Sequence, residues 1–91
     1  MIQSEFTEHR KNLIFTLADG CAEAFPFIHK LESFVRREEI YLWFIKNKIV
    51  GQKLLHFFFE HNGSLLKVVQ YVLTEIDRKK KEQIIAGRDM I

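Results

Sequence analysis

The chain has 91 residues, of which 47% are hydrophobic and 29% charged, a composition that excludes a disordered segment and leaves room for one domain. Its 14 Lys and Arg residues stand against 12 Asp and Glu, and the resulting net charge of +2 is far from the strong positive field of a dedicated nucleic-acid binder. We therefore expect a single globular domain over residues 1–91.

Apolar residues recur at spacings of three and four along most of the chain, which predicts helices. The first helix is expected to begin near Ser4 or Thr7, to continue through Gly20 and to break at Phe25, before Pro26. Pro26 suits the first turn of a second helix. The residues of this second helix that we expect to point inward are Phe27, Ile28, Leu31, Phe34 and Val35.

The charged segment 36–39 separates this helix from a second apolar region. It contains no helix breaker, so either the helix continues through it or a short turn falls there, and we favour a turn. The run from Ile40 to Ile45 is apolar on every side and predicts a central helix, with acids before it and lysines after it, as the helix dipole favours. Asn47 is expected to end that helix in the left-handed conformation.

The last third of the chain predicts two more helices. A short helix is expected after Gly51, and Asn62-Gly63 is a strong signal for its end. Ser64 then caps the last helix, which we expect to be the longest, with its tail over residues 87–91 frayed. Its apolar stripe consists of Leu65, Val68, Val69, Val72, Leu73 and Ile76. The sequence thus predicts an all-α fold, a compact bundle of about five short-to-medium helices.

One spacing pattern in the middle of the chain combines an Asn, an Ile, a Gly and paired Leu residues; it comprises Tyr41, Leu42, Asn47, Ile49, Gly51, Leu54 and Leu55. The pattern resembles the middle of sterile-alpha-motif domains, which are helical protein-interaction modules. It covers 15 residues (41–55), and the stretch before the last helix, 57–64, is shorter than in those domains. We interpret the resemblance as a shared way of ending a helix, and we assign no family from it.

The residue types that support catalysis or metal binding are not grouped in the sequence. No two of the four histidines are three or four residues apart, the spacing that places two imidazoles on one helical face. Glu38 and Glu39 are adjacent, so their side chains diverge by about 100° on a helix and do not readily share a proton. We therefore expect no enzymatic activity, no metal and no cofactor.

The cellular setting is predicted from three features. The N-terminal residues do not form a secretion signal, and no apolar run approaches the length that spans a bilayer. Cys21 is the single cysteine, which excludes an internal disulfide, and its apolar surroundings predict a buried, inert thiol. We expect a cytoplasmic protein with no membrane attachment.

DNA binding by a helix-turn-helix is the alternative function. The motif would consist of a helix over 54–59, a turn at 62–64 and a second helix from Leu65 to Leu73. A basic segment that would contact phosphates follows it: Arg78, Lys79, Lys80 and Lys81. A recognition helix must also bury apolar residues on its inner face, and residues 78–83 provide none. One continuous terminal helix is therefore favoured, with the four bases spread around it.

A surplus of apolar side chains favours protein interaction instead. Phe57, Phe58 and Phe59 are consecutive and span about 200° of a helix, so one ring is expected to point away from the core. Exposed apolar surface usually marks an association face. We predict a non-enzymatic protein-interaction module that binds itself or another protein, with a homodimer packed through the last helix as the favoured form. The predicted association face consists of Phe57, Phe58, Ile76, Ile84 and Ile85.

Overall fold

The computed structural model describes the backbone of residues 2–89 and the side chains of residues 8–82. The backbone forms five α-helices: α1 (Ile2–Ala18), α2 (Phe25–Leu31), α3 (Arg37–Lys46), α4 (Gln52–Glu60) and α5 (Leu65–Asp89). A single 3₁₀ turn over Ala22–Ala24 joins α1 to α2, and no strand occurs between residues 2 and 89. The predicted all-α bundle is confirmed, and α5 is its longest helix with 25 residues.

The first helix ends earlier than the sequence pattern predicts. Asp19 and Gly20 both have a positive φ, 46° and 77°, the left-handed conformation that ends a helix. Cys21 is extended, and the 3₁₀ turn follows it. The prediction of one helix running as far as Phe25 is therefore wrong, because Gly20 serves as a stop and not as an interior residue.

The second helix begins where proline predicts and ends sooner than expected. Pro26 lies in the first turn of α2, and the helix finishes at Leu31. The turn therefore falls between Leu31 and Arg37, mostly before the charged segment 36–39. Glu38 and Glu39 of that segment already lie in the first turn of α3. Val35 falls in this turn and is 97% exposed, so its predicted inward position is wrong.

The later helix ends follow the predicted residue types with one exception. Lys48, with φ 59°, takes the left-handed conformation that we predicted for Asn47, whose φ is −89°. Asn62 and Gly63 both have positive φ, which confirms the predicted end of α4. The Ser64 hydroxyl accepts a hydrogen bond from the backbone N–H of Lys67 at 3.3 Å, which confirms the predicted cap.

The hydrophobic core receives residues from all five helices and from the 3₁₀ turn. Its largest fully buried side chains are Tyr41, Phe44, Phe58, Leu17, Ile28, Leu31, Ile40, Leu54, Val68 and Val72. On α5 the stripe that faces this core ends at Ile76, and residues 77–82 are all exposed. The backbone of the helix continues to Asp89, and residues 77–82 extend α5 beyond its last core-facing residue.

Candidate interaction surface

The three consecutive phenylalanines of α4 have three different environments. Phe58 is fully buried in the core, whereas Phe59 is 62% exposed and its ring contacts Phe27 of α2 edge-on, with ring centroids 6.4 Å apart. Phe57 is half-buried on the opposite side, toward α3 and α5. One ring does point outward, as predicted, but the outward ring is Phe59. The assignment of Phe58 to the association face is therefore wrong, because an inward ring is not available to a partner.

Phe57 belongs to an aromatic cluster that joins three helices. Its ring centroid lies 6.0 Å from that of Trp43 on α3 and 5.8 Å from that of Tyr71 on α5. Trp43 and Tyr71 also contact each other, at 6.2 Å, in an edge-to-face arrangement that aromatic quadrupoles favour. His61, after the end of α4, closes the cluster at 4.6 Å from Phe57. These tilted and edge-to-face ring contacts hold α3, α4 and α5 together at the protein surface.

An apolar groove lies beside this cluster, between α3 and α5. Leu42, Trp43 and Ile76 provide its apolar lining, and its volume is about 280 Å³. Leu42 is 48% exposed, and Tyr71, which contacts Trp43, is exposed to a similar degree. The groove and the neighbouring cluster together form one apolar surface, which we call the α3–α5 face and which consists of Leu42, Trp43, Phe57, Tyr71 and Ile76.

Charged side chains line the edge of the groove, namely Glu39, Lys46, Lys79 and Lys80. The Glu39 carboxylate accepts a 2.6 Å hydrogen bond from Arg36 and lies 3.7 Å from the Lys80 ammonium. Arg36 also reaches across to Asp77 of α5, at 2.9 Å. The hydrogen bond from Arg36, the residue that precedes α3, lowers the pKa of Asp77, so that this ion pair to α5 is fully charged at neutral pH.

The basic segment is exposed, and acids accompany it. Arg78 pairs with Glu75 at 2.7 Å and with Glu82 at 3.7 Å, both on its own helix. The Glu75 hydrogen bond is the main reason that the pKa of Arg78 is raised. Residues 73–75 lie inside α5, which is one continuous helix as predicted. The separate recognition helix that a helix-turn-helix requires is not formed there.

The structure brings together some of the predicted site residues and adds others. Phe57 and Ile76 lie on the α3–α5 face, whereas the side chains of Ile84 and Ile85 are outside the described residues. The sequence analysis missed Leu42, Trp43 and Tyr71. The sequence does contain a signal for Leu42 and Trp43. The run 40–45 is apolar on every side, so one face of α3 must remain at the surface.

Two other grooves carry ionisable groups that are bonded within the protein. In the first, of about 230 Å³, the His9 Nε2 atom lies 3.2 Å from a Glu38 oxygen, and Tyr41 forms part of the wall. In the second, Cys21 is half-buried, so the prediction of a buried thiol is wrong. Its thiol donates a hydrogen bond to a Glu23 carboxylate oxygen at 3.2 Å. This hydrogen bond raises the pKa of Cys21, which keeps the sulfur protonated and weakly nucleophilic at neutral pH.

Among the described residues, no three His, Cys, Asp or Glu side chains are grouped so that they could hold a metal ion. No helix within the described part of the chain combines the length and the apolar character needed to cross a membrane. Comparison with protein-family models, with curated proteins and with solved structures gives no match.

Proposed function

We propose that this chain is a non-enzymatic protein-interaction module whose α3–α5 face binds a second copy or another protein. The observation that carries the proposal is the apolar surface that remains on α3 and α5 after the core has closed. Leu42 and Tyr71 are about half exposed, and they are connected through the half-buried Trp43. Contiguous apolar surface that is bordered by charged groups is typical of protein association sites.

Self-association is the simplest form of this function, and we propose a homodimer packed through α5. Among the described side chains, the core-facing stripe of α5 ends at Ile76 and residues 77–82 are exposed, while the backbone of the helix continues to Asp89. At about 1.5 Å per residue, the exposed residues 77–82 provide roughly 9 Å of helix, and Ile84 and Ile85, whose side chains lie outside the described residues, are the apolar residues that we propose pack against the second copy. The proposed function includes no catalysis and no cofactor, and we expect it to operate in the cytoplasm, where Cys21 stays reduced.

Light scattering coupled to size exclusion tests this proposal directly. We expect the mass of a dimer at tens of micromolar for the wild-type chain, and dissociation toward the monomer for Leu42→Gln, which places an amide on the α3–α5 face. Leu66→Gln is a matched control, because Leu66 is 59% exposed, and it lies on α5 about 15 Å along the helix from Ile76. A wild-type protein that is strictly monomeric at these concentrations contradicts the homodimer and removes its main support.

A further inference from the structure

We propose that the groove between α3 and α5 binds an amphipathic helix of another protein, with acidic residues on either side of its apolar stripe. The inference rests on the proposed function and specifies the chemistry of the partner. The groove lies between two helices, and Leu42, Trp43 and Ile76 give it an apolar lining. A partner helix that places residues i, i+3, i+4 and i+7 on one face fits such a groove.

The charges at the edge of the groove determine which charge the partner must carry. Lys46, Lys79 and Lys80 stand against a single acid, Glu39, whose two oxygens already face Arg36 and Lys80. Among the described residues, no carboxylate oxygen lies within 4 Å of the Lys46 or Lys79 ammonium group. The edge is therefore positively charged, and acidic side chains on the partner complement it.

A symmetric pair formed by two copies of this chain fits the same groove less well. A two-fold interface formed by this face presents the same net positive edge on both sides, so the second copy does not supply the excess of acidic side chains that complements Lys46 and Lys79. Like charges brought together at an interface oppose binding and select against the wrong partner. The charge pattern thus makes a different, acidic protein the preferred occupant of the groove, and this protein competes with the weaker homodimer for the same α3–α5 face.

Trp43 provides a local signal for the test, since it lines the groove and is the single tryptophan of the chain. The probes are three tryptophan-free peptides of about 15 residues, roughly four helical turns. All three carry leucine at positions i, i+3, i+4 and i+7, and the flanking positions are Glu, Gln or Lys. We expect the Glu peptide to change Trp43 emission in a saturable way and to bind at least about tenfold more tightly than the Lys peptide. Equal affinities for the three peptides would overturn the proposal.

Charge reversal tests whether binding depends on the lysines at the edge of the groove. The double variant Lys46→Glu/Lys79→Glu is expected to lose at least about tenfold in affinity for the Glu peptide and to gain affinity for the Lys peptide. The control is Lys53→Glu/Lys67→Glu, which reverses two exposed lysines outside the groove and is expected to bind as the wild type does. An equal loss in both double variants would show attraction by overall charge and would contradict a site in the groove.

Two sets of results distinguish an acidic partner in the groove from protein interaction in general. A dimer that covers Trp43, together with peptides that bind without charge preference, overturns the acidic partner and leaves the interaction function in place. A protein that stays monomeric at tens of micromolar and whose Trp43 emission responds to no peptide overturns both.

Discussion

At the scale of single residues, the direction of each side chain on its helix decides whether it stabilises the fold or remains available to a partner. The three phenylalanines of α4 illustrate this, because neighbours in sequence point about 100° apart. The sequence predicts that one ring points outward. Phe58 follows Leu54 by four residues, which places both side chains on one helical face, and both are fully buried. This spacing assigns Phe58 to the core and leaves Phe59 to point outward.

Alanine substitutions at Phe58 and Phe59 test this assignment. We expect Phe58→Ala to lower the free energy of unfolding by about 3–5 kcal/mol, because it removes a fully buried ring and leaves a cavity. Phe59→Ala is expected to cost about 1 kcal/mol or less, since most of its ring is exposed to solvent. Urea denaturation measures both values, and similar losses in the two variants would contradict the described orientation of α4.

Tyr41 links the core to the pH dependence of stability. Its side chain is buried, its hydroxyl donates to the Ile28 carbonyl at 3.3 Å, and burial raises its pKa. The folded state therefore holds the phenol proton more firmly than the unfolded chain does. The stabilisation that results from this pKa difference is complete below about pH 10, the usual tyrosine pKa. It decreases at higher pH, because the Tyr41 phenol of the unfolded chain ionises first.

We expect Tyr41→Phe to separate these two effects. At neutral pH the variant should lose about 1 kcal/mol with the hydrogen bond to Ile28. Above about pH 10, the wild type should lose stability faster than the variant, by up to about 1.4 kcal/mol per pH unit. Denaturant unfolding of both proteins near pH 7 and near pH 11 measures the difference. Parallel losses at alkaline pH would show that Tyr41 ionises equally in the folded and unfolded states.

At the scale of secondary structure elements, left-handed residues define the ends of α1, α3 and α4. The sequence predicts the end of α4 correctly because Asn62-Gly63 combines two residues that tolerate positive φ. It misplaces the end of α1, because Gly20 lies within an otherwise continuous apolar pattern. Lys48 has no such preference for positive φ, but its left-handed backbone lets the Ile49 N–H donate to the Phe44 carbonyl at 2.8 Å, which closes the end of α3.

Gly51 is the position where this segment depends most on glycine. It has φ 60° and ψ −127°, and its N–H donates to the Leu17 carbonyl at 2.7 Å, which ties the start of α4 to the end of α1. A Cβ added there would lie 3.3 Å from the Ala18 carbonyl oxygen. Side chains therefore face both backbone strain and a close contact at this position.

Alanine at Gly51 is expected to cost more than alanine at Gly63. Gly51→Ala should lower the free energy of unfolding by about 1–3 kcal/mol. Gly63→Ala should cost only about 1 kcal/mol, because its φ of 68° is also left-handed but a Cβ there meets no other atom within 4 Å. Thermal or urea unfolding of both variants provides the comparison. Equal losses would mean that the contact with α1 does not constrain the start of α4.

At the scale of the whole molecule, the all-α architecture follows from the apolar spacing, whereas the α3–α5 face does not. Apolar residues every three or four positions predict helices wherever they occur. The groove exists because Leu42 and Trp43 of α3 meet Ile76 of α5, and these residues are more than thirty positions apart in the chain. Only the tertiary arrangement brings them together, which explains why the sequence predicts an apolar surplus but not its location.

The charge distribution of the molecule also leads to an expectation for DNA. Arg78 and Lys80 have acidic neighbours, Glu75, Glu82 and Glu39, so the basic segment has less charge available for phosphates than its sequence indicates. We expect weak binding to duplex DNA at physiological salt, measured by fluorescence anisotropy at two salt concentrations. Submicromolar binding that falls steeply with salt and is lost on charge reversal at Lys79 and Lys80 would instead favour the nucleic-acid alternative.

We propose above all that a partner covers the α3–α5 face. Acrylamide quenching of Trp43 measures this most directly, because the single tryptophan lies on that face and is half-buried in the free chain. We predict that quenching decreases when the protein associates, whether with itself at high concentration or with an acidic peptide. An association detected by light scattering or anisotropy that leaves the quenching of Trp43 unchanged would contradict the claim.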